Sequence, residues 1–257
     1  MKSLINKIKF SNIGILIRNT INIKPIDIVT LDIKKSSISD AFLWRTDNGF
    51  ETLFKFSDIL NLFYNTKNTE VHIDFYSKEN NLIKSIKIKD LKLSNKLLIN
   101  NEFFGGIKDY GIFYVYHSSK DKFTNDDTIS NRCYLGYSLN KNLFSFVHGN
   151  TLSKYKPINS KEKETRTDPV KMSLFNNQTY KIQKYFGDYD KTELIFCNPT
   201  RTNINFFIGK NKFFLKKGCS KILNFNNINT ISVRSNCLFL RPTVFTYKNK
   251  YMDVHHS

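Results

Sequence analysis

The residues able to do chemistry are few and far apart. Five histidines, His72, His117, His148, His255 and His256, lie on or just after segments whose alternation reads as β-strand. Asp74 and Asp253 each stand two residues from a histidine, the spacing that puts two side chains on one face of a strand. Two or three imidazoles with a carboxylate would suit Zn or Fe(II), leaving one position open for water. His117, His148, Asp253 and His255 make such a set if the two halves of the chain bring their ends together. No HxH or HExxH motif accompanies them. His255 and His256 are adjacent, so on a strand they point to opposite faces and at most one can join. The competing expectation for each ring is a strand-end histidine hydrogen-bonded to backbone or to a nearby serine.

A denser polar and aromatic group sits in "RCYLGY" and "FVHGN". Arg132, Tyr134 and Tyr137 fall on one expected strand, His148 and Asn150 on or beside the next. With His117 they are the ligand-binding candidates. Trp44 is the single tryptophan and precedes Arg45. The expectation is a core role for Trp44; an exposed Trp–Arg stacking pair is the alternative. Arg241 lies among apolar residues and would need a carboxylate, for which Asp253 is near in sequence. Nucleophilic catalysis has no support, because there is no GxSxG and no cysteine in an electropositive turn. There is no GxGxxG or P-loop, so no nucleotide cofactor is expected. Cys133, Cys197, Cys219 and Cys237 show no CxxC spacing and read as buried, reduced thiols.

The net charge of +18 and a pI near 9.6 invite a nucleic-acid reading. Composition argues against a specific one. The basic residues are overwhelmingly lysine, Ala41 is the one alanine, and Asn is unusually frequent. Those are the residues of AT-rich codons, as in a genome of low GC content. Nucleic-acid binders favour Arg, whose planar fork pairs bidentately with phosphate and guanine. In "IKSIKIKDLKL" (83–93) the lysines alternate with apolar residues, as on the solvated face of a strand. The N-terminal 1–25 is basic, but its longest apolar run, "IGILI", is shorter than a secretory core. No window approaches a membrane span. The expectation is a soluble, cytoplasmic protein.

Strand signals dominate the positioning elements. "IDIVTLDI" (26–33) alternates; "VHIDFYS", "KENN" and "LIKSIKIKDL" read as a hairpin; "YGIFYVYHS" (110–118) is too apolar for a solvent-facing edge. Residues 50–64 allow either a helix or strand–turn–strand. Residues 151–175 are polar, carry Pro157 and Pro169, and read as a linker or long loop. From 176 onward, short strands alternate with Asn, Gly and Pro turns. The reading is an all-β chain of two packed antiparallel sandwich-like units, 26–150 and 176–257, the first half repeating the second loosely. "YVYHSS" (114–119) and "DVHHS" (253–257) raise the same idea of a repeat. The last segment is expected to be a strand, with Met252 and Val254 on its buried face and Asp253 and His255 opposite, free for a ligand or the first unit.

In "ELIFCNPTRTNINFFIGKNKFFLKKGCSKILNF", Asn198, Pro199, Gly209, Leu215 and Gly218 follow a strand, Asn-Pro turn, hairpin and Leu-x-x-Gly order. This resembles the tandem immunoglobulin-like β-sandwich modules of bacterial proteins. The whole chain also resembles uncharacterised bacterial proteins carrying an "HGN" (His148–Asn150) and an "RP…DVHH" ending (Arg241, Pro242, Asp253–His256). These resemblances imply a fold and no activity. Without a catalytic constellation, the expected function is a non-enzymatic binding or structural protein with a protein or polysaccharide partner. The alternative is a metal-dependent or acid/base enzyme with a histidine-lined site where the units meet.

Overall fold

The computed structural model describes residue 17 and residues 35–131, 133–149, 152–159, 178–182, 185–200, 203–226, 228–235, 237 and 240–256. The expected strand 26–33 and the candidates Arg132 and Asn150 lie outside them. The described chain is nearly all β, with 56% strand and 7% helix.

Eight strands form a first sandwich. Its front sheet has the order β2(Phe42–Arg45), β7(Tyr110–Ser119), β4(Thr69–Ser77), β5(Leu82–Ile88). Its back sheet has the order β10(Ser145–His148), β9(Tyr134–Leu139), β3(Phe50–Phe56), β6(Asn95–Ile99). A small third sheet, β11(Leu152–Pro157), β1(Ser36–Asp40), β8(Thr128–Asn131), lies beside β7 and contains the parallel pair β1–β8. Residues 152–157 were expected to begin a polar linker; they are a strand instead. Their lysines misled: Lys154 and Lys156 lie over the rings of Tyr114 and Tyr116, at 3.9 and 4.2 Å. Residues 160–177 fall outside the described residues.

The second sandwich repeats the first strand for strand. Its front sheet is β12(Gln178–Lys181), β17(Ser232–Ser235), β14(Ile204–Ile208), β15(Asn211–Leu215). Its back sheet is β19(Tyr251–His256), β18(Thr243–Lys248), β13(Lys191–Cys197), β16(Ser220–Phe225). Replacing β2 through β7 by β12 through β17, and β9–β10 by β18–β19, maps one pair of sheets onto the other, with β8 as an insertion. The repeat is therefore in the topology. The two His-Ser endings are not part of it: β7, carrying "YVYHSS", corresponds to β17, whereas β19, carrying "DVHHS", corresponds to β10.

Alternation builds both cores. In β3 the odd partners of "FETLFKF" split cleanly: Phe50, Phe54 and Phe56 turn inward while Glu51 and Lys55 turn out. The pattern then changes period. Asp58 Oδ1 accepts from the Asn61 amide at 3.1 Å and starts α1(Ile59–Tyr64), which ends at Asn65 in the left-handed region (φ 49°). Residues 50–64 are thus a strand followed by a helix. Trp44 is buried as expected, its Nε1 donating to the Tyr76 carbonyl at 2.9 Å and its ring 4.5 Å from Phe104. In the second sandwich Asn198 is the tie. Its Nδ2 donates to the carbonyls of Leu215 and Lys216, and its Oδ1 accepts from the Thr200 amide. That links the Asn-Pro turn to the turn at Gly218, which adopts φ 72°.

The second back sheet is buried on both faces. Leu194, Phe196 and Val244 enter the second core, while Ile195, Phe245 and Val254 join the first. A charged cluster crosses this junction. Arg45 Nε and Nη2 donate to both carboxylate oxygens of Asp47 at 2.9 and 2.8 Å, and Nη1 donates to Glu193 at 2.7 Å. Glu193 also accepts from Lys191 and Tyr247, and the guanidinium lies 3.8 Å from the Phe50 ring centre. Burial alone would lower the Arg45 pKa; the hydrogen bond and charge of Asp47, then Glu193, raise it above the usual value instead. Arg45 is a structural clamp between the sandwiches, not an exposed stacking partner of Trp44.

Candidate functional site

Strands β9 and β10 carry three of the six expected ligand candidates, Tyr134, Tyr137 and His148, and pleating sorts them. Tyr137 points inward. It is fully buried, its hydroxyl donates to the Leu43 carbonyl at 2.9 Å, and its ring meets Phe245 at 4.9 Å. Its "RCYLGY" setting suggested a site, but an odd spacing from Tyr134 puts it on the opposite face. Burial raises its phenol pKa well above the ordinary value. Tyr134 points out, 57% exposed, and is the register partner of His148, also exposed. The two rings meet edge to face at 6.4 Å.

Phe146, Lys55, Leu53 and Leu98 extend this face. Phe146 is 41% exposed beside Gly136, its register partner, and a Cβ at Gly136 would strike the Phe146 ring at 2.6 Å. Lys55 holds its ammonium 4.4 Å from the centre of the same ring. Leu53 pairs with Leu98 across β3 and β6, and Leu98 is 45% exposed. The outer face of the first back sheet is thus an apolar and aromatic strip, Leu98–Leu53–Phe146–Tyr134–His148, edged by Lys55 and Lys96. Of these, sequence reading named Tyr134 and His148 as candidates and did not name Phe146, Leu53 and Leu98. The missed signal was alternation of apolar residues on both faces of β3 and β10.

The histidines do not assemble with Asp253. His117 is 0% exposed on the inner side of β7, opposite Val71, and neither ring nitrogen has a hydrogen-bond partner among the described residues. Burial lowers its pKa to about 4. His148 is on the outer back face. His255 stacks at 6.5 Å on Phe186 of the second sandwich, and Asp253 accepts from Ser145 Oγ at 2.9 Å. Among the described residues no three His, Cys, Asp or Glu side chains group as metal ligands. Met252 and Val254 are the buried face of β19 as expected, and it is this face that meets the first sandwich. The opposite face, expected to be free for a ligand or the first unit, is divided: Asp253 meets Ser145 of the first sandwich and His255 turns toward the second. Arg241 lies 5.2 Å from the Tyr180 ring centre.

One chemically rich group was underrated. On the outer front face of the first sandwich, Ser85 Oγ donates to Asp74 Oδ1 at 2.5 Å, Lys156 donates to Oδ2 at 3.2 Å, and His72 Nε2 lies 3.1 Å from Oδ1. The same Nε2 is 2.8 Å from Ser85 Oγ. A relay needs one imidazole nitrogen on the nucleophile and the other on the carboxylate. Here one nitrogen faces both, and the serine proton is committed to Asp74. The group therefore holds a carboxylate ionised and does not activate a hydroxyl. Burial would raise the Asp74 pKa, but hydrogen bonds from His72 and Ser85 and the Lys156 charge hold it well below the usual range. The four cysteines are free thiols; burial pushes Cys197 up to about 11 and raises Cys133 and Cys219 as well, away from the thiolate that a nucleophile needs.

No helix among the described residues is long and apolar enough to cross a membrane. No family model and no curated protein matches the chain. Among solved structures, the mannose 6-phosphate isomerase from Bacillus subtilis is similar at 10% identity and a TM-score of 0.21, over 80% of this chain and 71% of that one. A likeness of that size carries no argument about fold or chemistry.

Proposed function

We propose that the chain is a non-enzymatic β-sandwich protein that holds a protein partner on the outer face of its first back sheet. The observation that carries this reading is the fate of the counterpart face. In the second sandwich the outer back face bears Ile195, Phe245 and Val254 and is buried in the first core. In the first sandwich the same face bears Leu53, Leu98, Phe146 and Tyr134 and is open. A contiguous apolar strip of this kind marks an interaction surface, and its aromatic members are the usual anchors. The leucines favour a protein over a polysaccharide, because they need a dry apolar counterpart. Lys55 and Lys96 at the rim favour a partner with acidic residues around its contact patch. In this reading each sandwich is a variant of the immunoglobulin-like layout. It keeps the pairings of β14 with β15 and β17 but carries its last two strands on the opposite sheet.

The test compares affinity capture by the wild type and by the Leu98→Ser/Phe146→Ser variant, with Leu82→Ser on the front sheet as control. Proteins recovered are then purified and titrated calorimetrically. A partner bound by the wild type and the control, and weakened at least tenfold by the double variant, supports the reading. Equal binding by all three refutes it. Binding of a glycan on an array, lost in the double variant, would replace the protein partner by a polysaccharide.

A further inference from the structure

We infer that the outer front face of the second sandwich is a contact site for single-stranded nucleic acid, bound without sequence preference. The site is separate from the face proposed above. The lysines, evenly scattered in the first half, are unopposed here: between Glu193 and Asp253 the sequence contains no Asp or Glu. None of the strands β12, β14, β15 and β17 carries a carboxylate.

The register aligns one row across all four strands, Thr179–Arg234–Phe207–Lys212. The Arg234 guanidinium carbon lies 4.6 Å from the Phe207 ring centre, so cation and ring stand together on this row. One row along, Phe214 is 46% exposed beside Asn205. Lys181 and Lys210 flank these rows and are exposed. Stacking planes set among cations on an open sheet suit unpaired bases joined by phosphates. A duplex hides its base faces and would use the charges alone. In the first sandwich the β7 part of the counterpart face is already occupied: Lys154 and Lys156 of β11 cover Tyr114 and Tyr116.

The experiment measures fluorescence anisotropy of a labelled twelve-residue oligothymidylate with the full chain. If Lys181, Lys210, Lys212 and Arg234 each neutralise one phosphate, affinity falls about fiftyfold between 50 and 200 mM salt. Phe214→Ser should weaken binding about tenfold at 50 mM salt, and Phe214→Tyr should restore it. Arg234→Gln should weaken it more than Lys89→Gln, an equal charge change in the first sandwich. A duplex of the same length should bind more weakly. Each variant is accepted only with a wild-type melting temperature, which solvent-facing positions permit. The inference is overturned if Phe214→Ser binds as the wild type, or if Lys89→Gln costs as much as Arg234→Gln. A sulfated polysaccharide bound through Phe214 while the oligonucleotide is not would also overturn it.

Discussion

His117 makes the protein acid-sensitive between its ordinary pKa and its lowered one. The ring is fully buried with neither nitrogen hydrogen-bonded among the described residues, and desolvation lowers its pKa from 6.5 to about 4. A histidine whose folded pKa is depressed favours folding while neutral. As pH falls below 6.5 the unfolded chain takes up a proton that the folded chain refuses, so stability is lost down to about pH 4, below which both states are charged. At about 1.4 kcal/mol per unit the full loss is about 3 kcal/mol. Between pH 7 and pH 5 it is about 2 kcal/mol, because at pH 5 the unfolded ring is mostly charged and the folded one is not.

The perturbation is His117→Leu, which removes a titrating group without stranding a hydrogen-bond partner. Urea unfolding at fixed ionic strength, at pH 7, 6 and 5, gives the difference between variant and wild type. The carboxylates contribute equally to both proteins and cancel. At pH 7 the variant should be within about 1 kcal/mol of the wild type or more stable. At pH 5 its relative stability should have risen by about 2 kcal/mol. Parallel pH profiles would refute the reasoning, since they would mean that the ring has water or a partner in the folded state.

Arg45→Met leaves buried Glu193 with only Lys191 and Tyr247, and half-buried Asp47 without its cation, and should cost about 3–5 kcal/mol in urea unfolding, with Arg45→Met/Glu193→Leu costing less than the sum of the single changes. Asp74→Asn should destabilise at pH 7. The depressed carboxyl pKa stabilises the fold above the unfolded value of about 3.9, so the deficit should shrink as pH falls below it. An undiminished deficit at pH 3 would show that the group acts by packing alone. Deleting residues 251–257 removes β19 and the Val254 contact with the first core, and should cost several kcal/mol; removing His256 and Ser257 should change the melting temperature little. A long truncation that melts with the full chain would make β19 a dispensable tail.

Fold class was readable because each strand carries its own evidence. "FETLFKF" and "VHIDFYS" alternate, and turn residues separate them. The boundary between β3 and α1 was not readable, because Phe54, Phe56, Leu60 and Phe63 satisfy both periods; the Asp58 cap decides it. Residues 152–157 looked like linker because lysine counts as polar in a pattern, whereas its stem packs on tyrosine. Tyr134 and His148 were expected to share a site with His117 or His255, but their distance from those rings was not encoded locally. Which sheet faces which is settled by side chains far apart in sequence, such as Arg45 and Glu193.

The duplicated topology gives one sheet two environments, and the residue changes between them follow from that. On the outer back face the second copy places Ile195, Phe245 and Val254, and the first places Leu53, Gly136 and Phe146 with Lys55 and Lys96 at the edge. A face that is permanently covered can be apolar throughout, since it never has to be soluble alone. A face that stays open must keep its apolar strip narrow and its rim charged. On the front face the first copy is covered over β7 by β11 of its own chain, leaving β4 and β5 accessible, while the second is open and carries cations without carboxylates. The two exposed faces differ in chemistry, one apolar with a basic rim and the other basic with aromatic inlays. That difference predicts independent ligands, so loss of binding at Phe146 should leave binding at Phe214 unchanged.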